Sequence, residues 1–453
     1  MPGSPIGPVF SAAIGGIIEA KKTLPQTCDG MKAQAARRDR QPTSNRFVPG
    51  EGHSPPGPEI LRMPLSTLHD DLRAQLSELD RQGLRRTRRT LASPCGPLAQ
   101  VEGRELVSFC SNDYLGLAND PALVEAACTA ARQWGVGSGA SHLVSGHLAP
   151  HEALESRLAA FTGFERALLF STGYMANLGI VGALLGRGDA IFADKLNHAS
   201  LIDAAQLAKT QGVDSQRYAH GDLAALERML AGSSARRKLI LTDAVFSMDG
   251  DLAPLAGLFE LAERFDAWLV VDDAHGFGVL GEKGRGCLAH CGLPAHPRIV
   301  YMGTLGKAAG ASGAFVAASE TVIEWLISRA RTYIFTTGSS PVMAGALLAS
   351  LDLIENGDAR RTHLQALIAQ LRDGLAGTRW QLMPSPTAIQ PIIVGENHAA
   401  LNVSKALYER GLWVPAIRPP TVPKGSARLR VSLSAAHSAA QVAKLIDTLK
   451  ELA

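Results

Sequence analysis

Residues capable of covalent and acid–base chemistry recur where short apolar runs of this 453-residue sequence end. The run "VYMGTLGK" ends in Thr304 and Lys307, "LVVDDAHGFG" in Asp272, Asp273 and His275, and "LTDAVFSMDGD" in Ser247. A fourth, "ALLFSTGYMANLG", leaves through Ser171, Thr172 and Gly173 into a helical pattern. Free N–H groups and the positive dipole end of that helix suit a phosphate. Lys307 stands among glycines and alanines in "MGTLGKAAGASGAF". An ordinary surface lysine needs no such framing, because its stem reaches water from almost any backbone position. Glycines beside it imply a close approach of the backbone to a bound molecule.

A lysine for a Schiff base, an acidic partner for a ring nitrogen, a histidine and a phosphate turn are the set that pyridoxal phosphate uses. An aspartate against the protonated ring nitrogen lets the ring accept electrons from a substrate carbanion. Each residue alone has a structural reading as well: a strand-end aspartate can cap a turn, and a lysine beside glycines can be exposed. Competing motifs are incomplete. "GFGVLG" matches the dinucleotide fingerprint as letters, but two aspartates and a histidine separate it from the strand and "GEKGRGC" continues the loop. No GxSxG elbow occurs. Cys287, His290, Cys291 and His296 lack the second ligand pair of a structural zinc site. For His142, His147 and His151, Pro150 is expected to open a helix that leaves His147 outside and removes the one-face ligand geometry, so turn and packing roles are expected and no metal.

Holding those strand ends together requires a sheet. "RALLF", "DAIFAD", "KLILTDAVFS", "AWLVVDDAH", "RIVYMGTLG" and "GAFVAAS" read as buried strands. "MANLGIVGALLG" and "LAPLAGLFELAERF" between them read as helices, giving an α/β fold with a mostly parallel central sheet and helices on both faces. Ligands of such sheets bind beyond the carboxyl ends of the strands. Four segments are expected: residues 1–62 as a disordered extension, 63–108 as an N-terminal helix and arm, 109–345 as a large cofactor domain, and 346–453 as a smaller C-terminal α/β domain. Leu65, Leu68, Leu72, Leu76 and Leu79 recur at helical spacing, the apolar stripe of an amphipathic helix.

Composition narrows the function classes. The chain is 46% hydrophobic and 19% charged, with a formal net charge of +3, as a globular enzyme would be. That excess lies within residues 1–62, leaving 63–453 formally neutral and without the signature of a nucleic-acid surface. Six cysteines in so long a chain make no disulfide framework, which implies a reducing, cytoplasmic setting. "PVFSAAIGGII" is too short and glycine-rich to span a bilayer, so no membrane anchor is expected.

"SNDYLGLA", "GSGASHLVSG", "NHASLIDA", "VFSMDGDLAPL", "VVDDAHGFGVLG", "TLGKAAGASGAF" and "IRPPTVPKGSARLR" together resemble the α-oxoamine synthases, fold-type-I pyridoxal-phosphate transferases, over residues 63 to 453. The resemblance implies that Lys307 bonds the cofactor aldehyde, Asp272 pairs with the ring nitrogen, His275 and Ser247 reach the ring hydroxyl, and His198 stacks on the ring. It implies phosphate contacts from the Gly173 and Tyr174 N–H groups and from Thr304. Arg418 and Thr421 would hold substrate carboxylate and acyl groups, and Arg85, in the basic run "RRTRR", would contact the acyl chain. It further implies a homodimer with the cleft at its interface, where Thr336 or Thr337 reaches the partner's phosphate. The implied reaction is the biotin-pathway decarboxylative condensation of L-alanine with a pimeloyl thioester, delivered on coenzyme A or on an acyl carrier protein whose acidic surface docks on Arg86, Arg88 and Arg89. The alternative within the family is a sister synthase using glycine or serine, of the 2-amino-3-ketobutyrate ligase, 5-aminolevulinate synthase or serine palmitoyltransferase type.

Overall fold

A computed structural model describes residues 65–453; the expectation for residues 1–62 lies outside the described residues. Helix α1 (Leu65–Arg81) precedes strands β1 (Leu98–Val101) and β2 (Arg104–Ser108), and helices α2 (Pro121–Trp134) and α3 (Ala149–Thr162) follow. A seven-stranded sheet is then built from β3 (Arg166–Phe170), β4 (Ala190–Asp194), β5 (Asp214–Tyr218), β6 (Lys238–Asp243), β7 (Ala267–Asp272), β8 (Ile299–Thr304) and β9 (Ala314–Ala318). Its order is β3-β9-β8-β7-β6-β4-β5. Pairs β4/β5, β4/β6, β6/β7 and β7/β8 are parallel, while β9 runs antiparallel to both β8 and β3.

Helices α4 (Gly173–Leu184), α5 (Ala199–Lys209), α6 (Leu223–Ala231) and α7 (Leu255–Arg264) connect the parallel strands. Because successive strand residues face opposite sides, Ile240, Leu269, Val271, Tyr301 and Phe315 enter one core, and Leu239, Leu241, Val270, Val300, Met302 and Val316 enter the other. Both faces are therefore covered, which is why the runs read as continuously apolar. Strand β5, "DSQRY", escapes that reading: it lies at the sheet edge, and most of its side chains are partly or fully exposed.

The C-terminal part holds a smaller antiparallel sheet of order β10-β11-β14-β13, from β10 (Gln381–Leu382), β11 (Ile389–Gly395), β13 (Ala416–Ile417) and β14 (Ala427–Ser432). Strand β12 (Leu412–Trp413) instead joins β2, in parallel, as the third strand of the β1-β2 sheet. Among the described residues no helix is long and apolar enough to cross a membrane. Helix α1 forms as expected, yet Leu68, Leu72, Leu76 and Leu79 remain 39–54% exposed.

Two glycines calibrate this packing. A Cβ on Gly303 of β8 would stand 2.5 Å from the ring of fully buried Phe315, whereas one on Gly182 of α4 would meet nothing within 4 Å. Gly303→Ala is expected to destabilise the fold by about 1–3 kcal/mol through overpacking. Gly182→Ala is expected to stabilise it by about 0.5–1 kcal/mol through lost chain entropy. Urea midpoints measured at unchanged m-value check both signs.

Candidate active site

The carboxyl ends of β3, β4, β6, β7 and β8 open on one edge of the sheet and enclose a cleft of about 200 Å3. Gly173, Tyr174, His198, Ser247, Asp272, His275, Thr304 and Lys307 all line it, joined by Ser200, Asp243, Ala274 and Met302. The antiparallel return of β9 is what brings the lysine there. Since β9 begins where β8 ends, residues 305–313 close as a tight loop, held by Leu305 N–H to Gly313 O (2.9 Å) and Gly310 N–H to Lys307 O (2.9 Å). One of the framing glycines answers to the protein and not to a ligand. Gly310 has φ +71°, and a Cβ there would stand 2.6 Å from the Leu117 backbone, so the close approach is to the protein itself.

Lys307 Nζ lies 2.9 Å from His275 Nε2, and His275 Nδ1 lies 2.7 Å from the Tyr114 hydroxyl. Tyr114 donates to Asn112 Oδ1 (3.1 Å), which also accepts from Arg430 (3.1 Å). With its one proton directed at Asn112, the phenol accepts from His275 Nδ1–H, which leaves Nε2 to accept from the lysine. Burial, then the charge of Lys307, holds His275 well below the ordinary histidine range, in keeping with a neutral ring. Burial likewise lowers Lys307 to about 8, against the opposing pull of Asp272 and Asp243.

Across the cleft, His198 caps α5, its Nδ1 accepting from Ser200 N–H (3.3 Å) with Ser200 Oγ at 2.8 Å. Asn177 Nδ2 donates to Ser200 Oγ (2.8 Å) and to Asp272 Oδ2 (2.7 Å), while Asp272 Oδ1 accepts from Ala274 N–H (3.0 Å). Asp243, register partner of Asp272, accepts the His198 N–H, and burial followed by the Asp272 charge raises its pKa. At the start of α4, Thr172 caps the helix by accepting from Met175 N–H (3.1 Å). The first turn thereby leaves the Gly173 and Tyr174 N–H groups without intrahelical acceptors. An amine, a fixed acid opposite it and a helix N-terminus on one small cleft fit the donor needs of pyridoxal phosphate.

The substrate residues expected from the sequence form a separate group. Arg85 pairs with Asp80 (2.6 Å) at the surface and does not line the cleft. Arg86 instead approaches Thr421 Oγ1 (3.4 Å), and Arg418 donates to Gly83 O. Thr336 and Thr337 also lie outside the cleft lining. The histidine expectation needs correction: although Pro150 opens α3 and His147 precedes it, the ligand atoms of His142, His147 and His151 come within 4.8 Å of one another. Hydrogen bonds account for the cluster, since His151 accepts from Leu148 N–H (2.9 Å) and donates to Ser339 O (2.8 Å), and His142 and His147 share an Nδ1–Nδ1 bond of 3.0 Å. Asn112, Tyr114, Asn177, Asp243 and Arg430 escaped the sequence reading. Of these, Asn112 and Tyr114 lie in "SNDYLGLA" and Arg430 in "ARLR", stretches whose resemblance was visible without a role.

Residues 104–449 match the family model for aminotransferase class I and II. The chain is 68% identical to 8-amino-7-oxononanoate synthase of Herminiimonas arsenicoxydans, over 84% of this chain and 99% of that protein. Identity to the protein of the same name from Dechloromonas aromatica (strain RCB) is 64%, over 85% and 100%. The chain belongs to the aminotransferase class I and II family, among the 8-amino-7-oxononanoate synthases. Solved neighbours agree. The Sphingomonas wittichii serine palmitoyltransferase superposes with a TM-score of 0.80 at 31% identity, covering 86% of this chain and 98% of that one. The Francisella tularensis 8-amino-7-oxononanoate synthase gives 0.67 at 31% identity, covering 77% and 97%. The fold is the fold-type-I transferase fold, and the cofactor is pyridoxal 5'-phosphate.

Lys307 should be the most acidic lysine ammonium among the described residues. Labelling by an amine-selective acylating reagent, followed by peptide mass spectrometry on the cofactor-free protein, should rise about tenfold per pH unit up to 8 and then level, because only the neutral amine attacks. Exposed lysines should keep rising to about pH 10.4.

Proposed function

We propose that this chain joins L-alanine to a pimeloyl thioester, giving 8-amino-7-oxononanoate, carbon dioxide and free thiol in biotin synthesis. In this reaction the alanine Cα bonds the thioester carbonyl carbon, the C–S bond breaks, and the alanine carboxylate leaves as CO2, so no oxidant or reductant is needed. The identity of 64–68% to proteins named for that product, over nearly their whole length, carries the reading. Pyridoxal phosphate, when bound, supplies the electron sink that makes the alanine Cα–H acidic.

The chain's residues then divide the work. Lys307 would anchor the cofactor, and its amine is the group that would take the alanine Cα proton; a pKa of about 8 keeps a useful fraction neutral at physiological pH. Asp272, fixed by Asn177 and Ala274, would pair with the ring nitrogen. His275 and Ser247 would orient the ring hydroxyl, His198 would cover one ring face, and Gly173, Tyr174 and Thr304 would hold the phosphate. Arg430 is 5% exposed, donates only to neutral acceptors among the described residues, and its charge reaches Lys307, so we assign it the alanine carboxylate. Arg418 and Thr421, with Arg86 in the place expected for Arg85, suit the far acid of the pimeloyl chain. The exposed leucine stripe of α1, with Val136, Leu143, Val144 and Phe335, supports a homodimer whose second chain completes the cleft.

Free-thiol release from pimeloyl-coenzyme A and from a pimeloyl carrier protein tests the substrate assignment. Turnover with L-alanine should exceed that with glycine or serine for either donor, and faster turnover with glycine or serine would move the chain to a sister activity. Lys307→Ala should abolish both turnover and the visible absorbance band of bound cofactor. Arg430→Lys should raise the KM for L-alanine about tenfold or more, since a point charge replaces the guanidinium fork. If the acidic carrier docks on Arg86, Arg88 and Arg89, its KM should climb more steeply with salt than that of the coenzyme A thioester.

A further inference from the structure

Histidine 220 lies outside the cleft, yet it meets both sides of the loops that build it. Its Nδ1 stands 3.1 Å from Asp194 Oδ1 and its Nε2 2.7 Å from Asp251 Oδ2. Two carboxylates on opposite ring nitrogens demand two N–H donors, which only the imidazolium provides. These hydrogen bonds, first from Asp194 and then from Asp251, raise its pKa to about 10 against the opposing effect of burial. The ring edge also packs on Phe246, with centroids 4.3 Å apart at 84°.

Each carboxylate governs a cleft-lining segment. Asp194, 2% exposed at the end of β4, accepts from Leu196 N–H (2.8 Å) and Gly221 N–H (2.9 Å), and so shapes the turn that delivers His198. Asp251 closes the turn that carries Ser247, where Phe246 N–H bonds Asp251 O (3.0 Å) and Val245 bridges Leu252. The far side of that same turn receives Arg428 on Asp249 and Arg430 on Ser247 O (2.7 Å). Without the cation, Asp194 and Asp251 would face each other with nothing between them.

We propose that His220 is a positioning residue that clips the turn bearing His198 to the loop bearing Ser247, setting the face and the edge of the cofactor site together. The positioning of both loops is a property of the bare chain, and its effect on the cofactor rests on the cleft assignment made above.

Amide hydrogen exchange on the cofactor-free protein reads the clip directly. In His220→Gln, peptides spanning 194–201 and 244–252 should exchange about tenfold or more faster, as expected for loss of a charge-assisted hydrogen bond, with 166–170 and 314–318 unchanged. The dissociation constant for pyridoxal phosphate, titrated through the visible band, should rise by a similar factor. His220→Arg keeps a cation with several donors and should restore both toward wild type. Unchanged exchange in the two segments, or an equal rise across the whole sheet, would overturn the clip. A wild-type protein that forms no visible band while the exchange contrast persists would instead refute the cofactor reading and leave the clip standing.

Discussion

A lysine ammonium sunk among protein atoms is the constraint on which the rest of this structure depends. Burial costs a charged amine its hydration, and at this site that cost outweighs the attraction of Asp272 and Asp243 and lowers Lys307 to about 8. A neutral histidine must then accept from the amine, because a second cation there would be repelled. His275 meets that demand by giving its own proton to Tyr114, whose proton goes to Asn112. The protonation pattern at one nitrogen is thus fixed by a chain of donors reaching Arg430 on β14, in the C-terminal sheet. Residues of the large sheet and its loops line the cleft, and the small sheet joins their hydrogen-bonded network through Arg430.

Much of this was legible in the sequence, for a physical reason. Strands buried on both faces leave uninterrupted apolar runs, so six of the seven strands of the large sheet were visible, and residues that break such runs mark the strand ends where chemistry sits. Strand β5 was not legible because an edge strand is solvated and resembles a loop. The eight residues expected at the cofactor came together in one cleft because each lies at or just beyond a strand end or a helix start, positions that the parallel topology brings to one edge. Sequence patterns cannot show pairings across long separations. Tyr114 meets His275 across 161 positions and Arg430 meets Asn112 across 318, and nothing local to either residue announces the partner. The histidines failed differently: a rule about ligands on one helix face says nothing of three rings that converge from a turn and a helix start.

Charge balance explains why the cleft tolerates so many ionisable groups. Of the two carboxyl groups set side by side by the β6/β7 register, Asp243 has a raised pKa, from burial first and from Asp272 second. Two carboxylates so placed repel, which adds to burial in favouring the protonated form of Asp243. Its carboxyl still accepts the His198 N–H, so the residue works as a spacer and a hydrogen-bond acceptor. His198 is itself held below the ordinary range, chiefly by burial, and presents a neutral ring toward the cleft. Two cations outside the cleft lining, Arg430 and His220, are each anchored to the loop that carries Ser247.

That distribution bears on how substrate order could be enforced. Arg430 is held by neutral acceptors, Ser247 O, Asn112 Oδ1 and Ser432 Oγ, so a carboxylate arriving beside it gains a charge-assisted bond without breaking an ion pair. The cluster of Arg86, Arg418 and Thr421 is different, for its arginines crowd one another and Arg418 is further acidified by burial, chiefly, and by Arg86. An anion would relieve that crowding, which suits this cluster to the proposed acid group at the far end of a long acyl chain. If the amino acid's carboxylate takes Arg430 and the acyl substrate's far acid takes Arg86 and Arg418, as proposed above, charge placement would separate the two substrates before any contact with the methyl group of alanine is made.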